Sequence, residues 1–95
     1  MLTKGSNEYK KAQEIANELA RAAKYNRATS NSLYDIYFEK VGHFVEAVKK
    51  VGGFAANIAD TVDKSMTLSP YRLANISEKQ AWIMACSAVE NNISF

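Results

Sequence analysis

Residues 33–51 read LYDIYFEKVGHFVEAVKKV, and this stretch decides the fold. Its large apolar side chains recur every three or four residues, the spacing that places side chains on one face of an α-helix. No other segment of the chain carries as many large apolar groups. The face comprises Leu33, Tyr37, Val41, Phe44, Val45, Val48 and Val51. We therefore predict a central helix around which the rest of the chain packs.

The two ends of this central helix carry recognisable signals. Gly52–Gly53 follows it directly, and glycine adopts the left-handed conformation that ends helices at little cost. At the other end, Ser32 and Asp35 have the spacing of a capping box, although aspartate is shorter than the preferred glutamate or glutamine. The central helix is therefore predicted to begin after Ser32 and to end at Val51.

A first helix is predicted upstream of the central one. Ser6 can cap it through its hydroxyl group, and a stripe of alanines with Ile15 and other apolar residues follows at helical spacing. We expect this helix to end near Tyr25 or Asn26, and residues 1–5 to form a frayed leader.

Two further helices are predicted downstream. The third runs from Phe54 to about Met66, and the last begins with the capping box formed by Ser77 and Gln80. Between them, the proline at position 70 follows a serine, which predicts a short helical turn through Tyr71–Ala74. We expect this segment to be pinned to the core by Leu68, Tyr71 and Leu73.

The totals agree with one small all-α domain. The chain has 95 residues, of which 47% are apolar, so a single core forms within residues 1–95 and intrinsic disorder is disfavoured. The predicted fold is a small bundle of four main helices plus a short helical turn near Pro70. The net charge of +2 is close to balance, which argues against a dedicated nucleic-acid module and against a DNA mimic.

Few residues are suited to catalysis or to binding a cofactor. His43 lies four residues after Glu39 and three before Glu46, so both carboxylates could reach its ring on a helix. The one cysteine, Cys86, lies on the apolar stripe of the last helix and is expected to be a small core residue. One histidine and one cysteine cannot build a structural zinc site. We predict no enzymatic activity, no cofactor and no metal.

The sequence also indicates where the protein resides. The first residues lack the apolar segment of a secretory signal, and no apolar run approaches the ~18–20 residues of a membrane span. We expect a cytoplasmic protein with no membrane partner.

Aromatic residues crowd the beginning of the central helix and are candidates for binding a protein partner. Tyr34, Tyr37 and Phe38 cannot all face one core, because Phe38 points roughly 100° away from Tyr37 around the helix axis. We therefore expect exposed aromatic surface here, of the kind that protein interfaces favour. The alternative is that a small four-helix protein buries two faces of its central helix. The tail, Ile93–Phe95, either folds back onto the core or binds a partner.

Basic residues on and just after the first helix form a second candidate site, for nucleic acid. Cations interleaved with tyrosines could follow a phosphate backbone while the rings stack on bases. Against this interpretation, Glu14 and Glu18 lie in the middle of the same helix. The basic set comprises Lys10, Lys11, Arg21, Lys24 and Arg27.

These observations favour a small non-enzymatic protein that works by docking onto a protein partner and blocking its surface. Accessory proteins of phages and mobile elements fit this profile, including inhibitors of bacterial defence complexes such as CRISPR effectors. A homodimer would present the docking surface twice. The alternative is a nucleic-acid-binding regulator that uses the basic face of the first helix.

Overall fold

Four helices form the fold in a computed structural model that describes residues 2–69 and 71–95. They are α1 (Asn7–Ala23), α2 (Asn31–Val51), α3 (Gly53–Leu68) and α4 (Glu78–Glu90). The described residues contain no β-strand, so the predicted all-α class with four main helices is confirmed. None of the described helices combines the length and the apolar character needed to cross a lipid bilayer.

The helices pack chiefly as two pairs, α1 with α4 and α2 with α3, and contacts between α3 and α4 join the pairs. Between α1 and α4, the rings of Tyr9 and Trp82 meet edge to face with centroids 4.9 Å apart. The shared core takes its largest fully buried side chains from every helix and from one connector. These side chains are Leu19, Val41, Val45, Val48, Val62, Leu73 and Met84.

α1 begins as predicted but ends earlier than expected. The hydroxyl of Ser6 accepts a hydrogen bond from the backbone N–H of Tyr9 at 3.1 Å, which confirms the N-cap. The helix ends at Ala23, short of Tyr25 and Asn26, because these two residues turn to pair with a distant connector. The Tyr25 carbonyl accepts the N–H of Leu73 at 3.0 Å, which continuing the helix would prevent.

α2 begins with Ser30 as its N-cap, so the predicted start after Ser32 is wrong. Ser30 donates its N–H to the Asn26 carbonyl, and its own carbonyl accepts the N–H of Tyr34 as the first helical bond. The Asn26 side chain meanwhile accepts the Ala28 N–H at 2.8 Å, which holds the connector in a tight turn. This polar turn brings the chain into helical geometry early and places Ser32 inside the first turn.

The link between α2 and α3 confirms the predicted glycine stop. Gly52 alone separates the helices, and both Gly52 and Gly53 have positive φ angles, 83° and 79°. Across the link, the Lys49 ammonium lies 3.1 Å from the Asp63 carboxylate and 3.8 Å from that of Asp60. The hydrogen bonds that Lys49 donates to Asp63 and then to Glu46 raise its pKa.

Residues 71–74 are not helical, so the helical turn predicted through Tyr71–Ala74 is wrong; Pro70 itself lies outside the described residues. Arg72 forms an isolated antiparallel bridge with Asn26 instead, and Ala74 donates its N–H to the Ala23 carbonyl at 3.3 Å. The two connectors thus satisfy each other's backbone groups, including a carbonyl that the end of α1 leaves unpaired.

Only one of the three side chains expected to pin this segment does so. Leu73 is fully buried, whereas Leu68 and Tyr71 are 79% and 74% exposed. The prediction is therefore wrong for Leu68 and Tyr71. Leu73 directly follows the bridged Arg72 and donates its N–H to the Tyr25 carbonyl, which holds it against the core, whereas Tyr71 precedes Arg72 and Leu68 is the last residue of α3.

α4 has the predicted capping box, and the chain after it folds back. The Ser77 hydroxyl accepts the Gln80 N–H, and the Gln80 side chain accepts the Ser77 N–H. At the other end, Asn92 has a φ of 56°, and Ile93 donates its N–H to the Ala88 carbonyl, as in a Schellman motif. This turn directs the tail onto the core, where the Phe95 ring meets Phe44 edge to face at 5.3 Å.

Candidate docking surface at the start of α2

The first turns of α2 expose apolar side chains on two flanks. Leu33 and Ile36 are 46% and 59% exposed, and Phe38 is 39% exposed. At roughly 100° per residue, Leu33 and Ile36 share a flank, while Phe38 lies roughly 160° from Ile36. The sequence-based expectation of exposed apolar surface here is therefore confirmed, but Leu33 does not belong to the buried face to which it was assigned.

The three aromatic residues proposed for partner binding have different environments. Phe38 is exposed, Tyr37 is half-buried, and Tyr34 is only 4% exposed, so the expectation of an exposed Tyr34 ring is wrong. Tyr34 precedes Val41 by seven residues, which places both on the same face of α2. It consequently belongs to the core that α2 shares with the other helices.

Tyr34 nevertheless supports the exposed groups beside it. The Arg27 guanidinium lies over the Tyr34 ring, 5.0 Å from its centroid, and also donates a long hydrogen bond of 3.4 Å to the Tyr34 hydroxyl. Phe38 also stacks on Tyr34, with centroids 5.9 Å apart and ring planes inclined by 24°. The sequence analysis placed Arg27 and Phe38 in two different candidate sites. In the structure, both residues contact the buried ring of Tyr34.

The connector bridge adds Tyr71 to this group. The bridge pairs Asn26 with Arg72 in antiparallel fashion, so Arg27 and Tyr71 flank it on the same side. Tyr71 is 74% exposed. Arg72 lines a separate surface cleft that also includes Thr61, Ser65 and Ser77. We call the group formed by Arg27, Tyr34, Phe38 and Tyr71 the arginine–aromatic surface.

Sequence reasoning missed Tyr71 because a single bridge between two connectors leaves no periodic signal. The only local indication was the large tyrosine beside a proline, which was assigned to a helical turn facing the core. An exposed Tyr71 follows only when Asn26 and Arg72, far apart in sequence, are known to pair.

Tyr37 lies apart from the arginine–aromatic surface, on the side of α2 that faces the end of α1. Its ring contacts Tyr25 with centroids 4.9 Å apart, and the Lys40 ammonium lies 5.5 Å from the ring centroid. Lys40 also lies 4.8 Å from the centroid of Phe95, so it links α2 to the tail. The contacts of Tyr37 therefore differ from those of Phe38.

The basic residues proposed for nucleic-acid binding are exposed, but they do not form one uniform surface. Along α1, Glu14 and Glu18 lie between Lys10 and Lys11 in angular position, at roughly 100° per residue. Arg27 is not on α1 and instead covers Tyr34. The cations of α1 consequently share their exposed face with carboxylates, which weakens the attraction that this face exerts on phosphate.

The groups with chemical reactivity lie elsewhere in the fold. His43 is exposed on α2. Cys86 is partly buried on α4, and burial, followed by the charge of Glu90, raises the pKa of its thiol. A thiol with a raised pKa is mostly protonated near neutral pH, unlike the thiolate of a reactive cysteine. Within residues 2–69 and 71–95, no group of three or more metal-binding side chains is found.

Comparison with protein-family models, with curated proteins and with solved structures found no significant match. The function is therefore argued from the geometry of this chain.

Proposed function

We propose that the protein is a non-enzymatic docking protein that binds a protein partner through the arginine–aromatic surface and blocks the partner by occupying its surface. The observation that carries the proposal is the stack of Arg27, Tyr34 and Phe38, which presents an exposed cation and an exposed ring from a buried support. Arginine and large aromatic residues contribute most of the energy at protein interfaces.

The rigidity of the support favours this use. Tyr34 is buried, and α2 continues from it through the core residues Val41 and Val45. A site that rests on packed helix residues loses little conformational entropy when a partner binds. Tyr71, on the bridged connector, adds a second exposed ring, which the bridge places in register with Arg27.

The class of partner remains the prediction made from the sequence. We propose a cytoplasmic accessory protein of a phage or mobile element, acting as an inhibitor of a bacterial defence complex such as a CRISPR effector. Support for this finer proposal comes only from the small size of the chain and from the lack of recognisable catalytic motifs in its sequence.

The proposed docking surface is tested by replacing Phe38 and, as a control, the exposed ring of Phe54. Purified protein is used to capture partners from a bacterial lysate, and binding is then measured with the purified partner. Phe38→Ser should weaken that binding about 5-fold or more, as expected for a residue near the centre of an interface. Phe54→Ser is the control, because Phe54 is 66% exposed at the start of α3, beside the end of α2 that is far from Phe38. Unchanged binding by Phe38→Ser, or loss by Phe54→Ser alone, would refute the proposed surface.

A nucleic-acid-binding regulator is the second candidate, supported by the exposure of all five basic residues in and after α1. A variant with Lys10, Lys11 and Lys24 changed to glutamine should then lose binding to duplex or single-stranded DNA, and the affinity should fall steeply with salt. Wild-type protein that shows no salt-dependent binding to either probe excludes this candidate.

A homodimer would present the docking surface twice and so increase avidity for a repetitive partner. Sedimentation over a range of protein concentrations measures this directly, and a constant monomer mass would exclude it.

A further inference from the structure

We propose that the partner presents a carboxylate to Arg27, so that the arginine–aromatic surface recognises an acidic segment of a protein bearing large apolar side chains. This inference rests on the proposed function and specifies the chemistry of the partner that the same surface accepts.

Arg27 and Phe38 both contact the buried Tyr34 ring, and Arg27 flanks the connector bridge on the same side as Tyr71. A partner that packs on Phe38 and reaches across Tyr34 therefore also covers the guanidinium. A covered cation without an opposite charge costs several kcal/mol, whereas a hydrogen-bonded ion pair offsets much of that cost. A partner without an acidic group would lose what it gains from the rings.

The chain does not provide this opposite charge itself. Among residues 2–69 and 71–95, no carboxylate forms an ion pair with Arg27. The nearest acidic residue in sequence on α2 is Asp35, which is exposed and points roughly 100° away from Tyr34 around the helix axis. The positive charge of Arg27 is therefore available for a partner.

The geometry of Arg27 suits a carboxylate better than an arbitrary acceptor. A guanidinium has five N–H donors in a planar fork, and the single long bond to the Tyr34 hydroxyl engages only one of them. Contact with the ring face restricts the plane of the fork, which prepares it for two parallel hydrogen bonds to one carboxylate. Neighbouring rings also exclude water once a partner has docked, which strengthens the ion pair.

Exposed rings beside an arginine could also stack on the bases of single-stranded nucleic acid. A protein partner is favoured because the net charge of +2 is close to balance and the cations of α1 share their exposed face with Glu14 and Glu18, which leaves little attraction for a phosphate backbone.

The test selects short peptides from a random library on the immobilised full-length protein. The expected result is enrichment of peptides that combine Asp or Glu with large apolar residues and that require Phe38 for binding. An enriched peptide should bind at least ~30-fold more weakly to Arg27→Gln, as expected for the loss of one partner of a covered ion pair. Its counterpart with Asn and Gln in place of Asp and Glu should bind the wild-type protein equally weakly.

Two control variants separate recognition from folding. Lys50→Gln removes one positive charge about 24 Å along α2 from Tyr34, the residue that Arg27 covers, and should leave peptide affinity within 2-fold, a change of about 0.4 kcal/mol. Arg27→Lys keeps the charge without the planar fork and should retain part of the affinity and its salt dependence. Circular dichroism verifies that each variant is folded, and Arg27→Lys replaces Arg27→Gln in the comparison if the latter unfolds.

The outcomes distinguish this inference from the proposed function. Enriched peptides that need Phe38 but carry no acidic residues, and that bind Arg27→Gln normally, would overturn the inference and leave the docking surface in place. Peptides that bind Phe38→Ser as well as wild type would overturn the surface itself. Tighter binding of an oligo(dT) strand than of any peptide, lost in Arg27→Gln, would overturn the inference in favour of nucleic acid.

Discussion

Replacing each of two leucines that lie five residues apart provides a direct test of the connector that holds the arginine–aromatic surface. Leu73 is fully buried, and its N–H is bonded to the Tyr25 carbonyl at 3.0 Å. Leu68, at the end of α3, is 79% exposed. The same substitution, leucine to alanine, therefore removes the same atoms from two opposite environments.

The expected effects differ by an order of magnitude. Leu73→Ala deletes buried methyl groups and leaves a cavity, which typically lowers the free energy of unfolding by 2–5 kcal/mol, so we expect about 3 kcal/mol. For a domain of 60–100 residues, each kcal/mol shifts Tm by about 4–8 °C, which predicts a fall of roughly 12–24 °C. Leu68→Ala lacks any such cavity and should change the free energy of unfolding by less than about 0.5 kcal/mol.

Urea and thermal unfolding followed by circular dichroism measure both variants. Equal losses of stability would show that Leu68 packs against the core, and a negligible loss at Leu73 would show that its side chain is not buried. A negligible loss at Leu73 would refute the position of the connector, and with it the placement of Tyr71 beside Arg27, because Leu73 directly follows the bridged Arg72.

Three further predictions test other parts of the fold. Gly42→Ala should stabilise the protein by about 0.5–1 kcal/mol, because no atom lies within 4 Å of the added methyl group. Gly52→Ala should destabilise it by about 1–3 kcal/mol, because Gly52 has a φ of 83° and a ψ of −171°. Chemical denaturation measures both changes. Tyr34→Phe should lower the free energy of unfolding by less than about 1 kcal/mol, whereas Tyr34→Ala should lower it by about 3 kcal/mol. Thermal unfolding measures both, and equal Tm values for the two variants would contradict this prediction. Asp60, whose pKa is lowered by its ion pairs, should contribute stability that is complete above its unfolded pKa of 3.8 and disappears as the pH falls through the lower folded pKa; Tm measured from pH 7 to pH 2 should therefore converge for wild type and Asp60→Asn at acid pH.

Helix signals that act within a few residues could be read from the sequence. The capping box of Ser77 and Gln80, the Ser6 cap and the glycine stop at Gly52 all involve bonds or backbone angles of neighbouring residues, and all three are confirmed. The start of α2 could not be predicted in this way. Its position depends on the turn at Asn26, whose backbone pairs with a connector more than forty residues away.

The candidate site shows the same division between local and distant effects. Periodicity predicted exposed aromatic surface at the start of α2, and of the three residues named there Phe38 is exposed. It could not show that Arg27 covers Tyr34, because a residue in an irregular connector has no periodic position. Nor could it place Tyr71, which reaches the site only through the pairing of two connectors.

The buried face of α2 explains why Tyr34 was assigned to the surface. The spacing Leu33, Tyr37, Val41 and the spacing Tyr34, Val41, Val45 both fit a helix, and they differ by a rotation of roughly 100° at the first turn. The chain uses the second, since Leu33 is 46% exposed and Tyr34 is 4% exposed. A leucine at this core position would offer the guanidinium neither a ring face nor a hydrogen-bond acceptor, whereas the buried Tyr34 offers both to Arg27. If the arginine–aromatic surface binds a partner, the unexpected burial of Tyr34 is therefore what positions its cation.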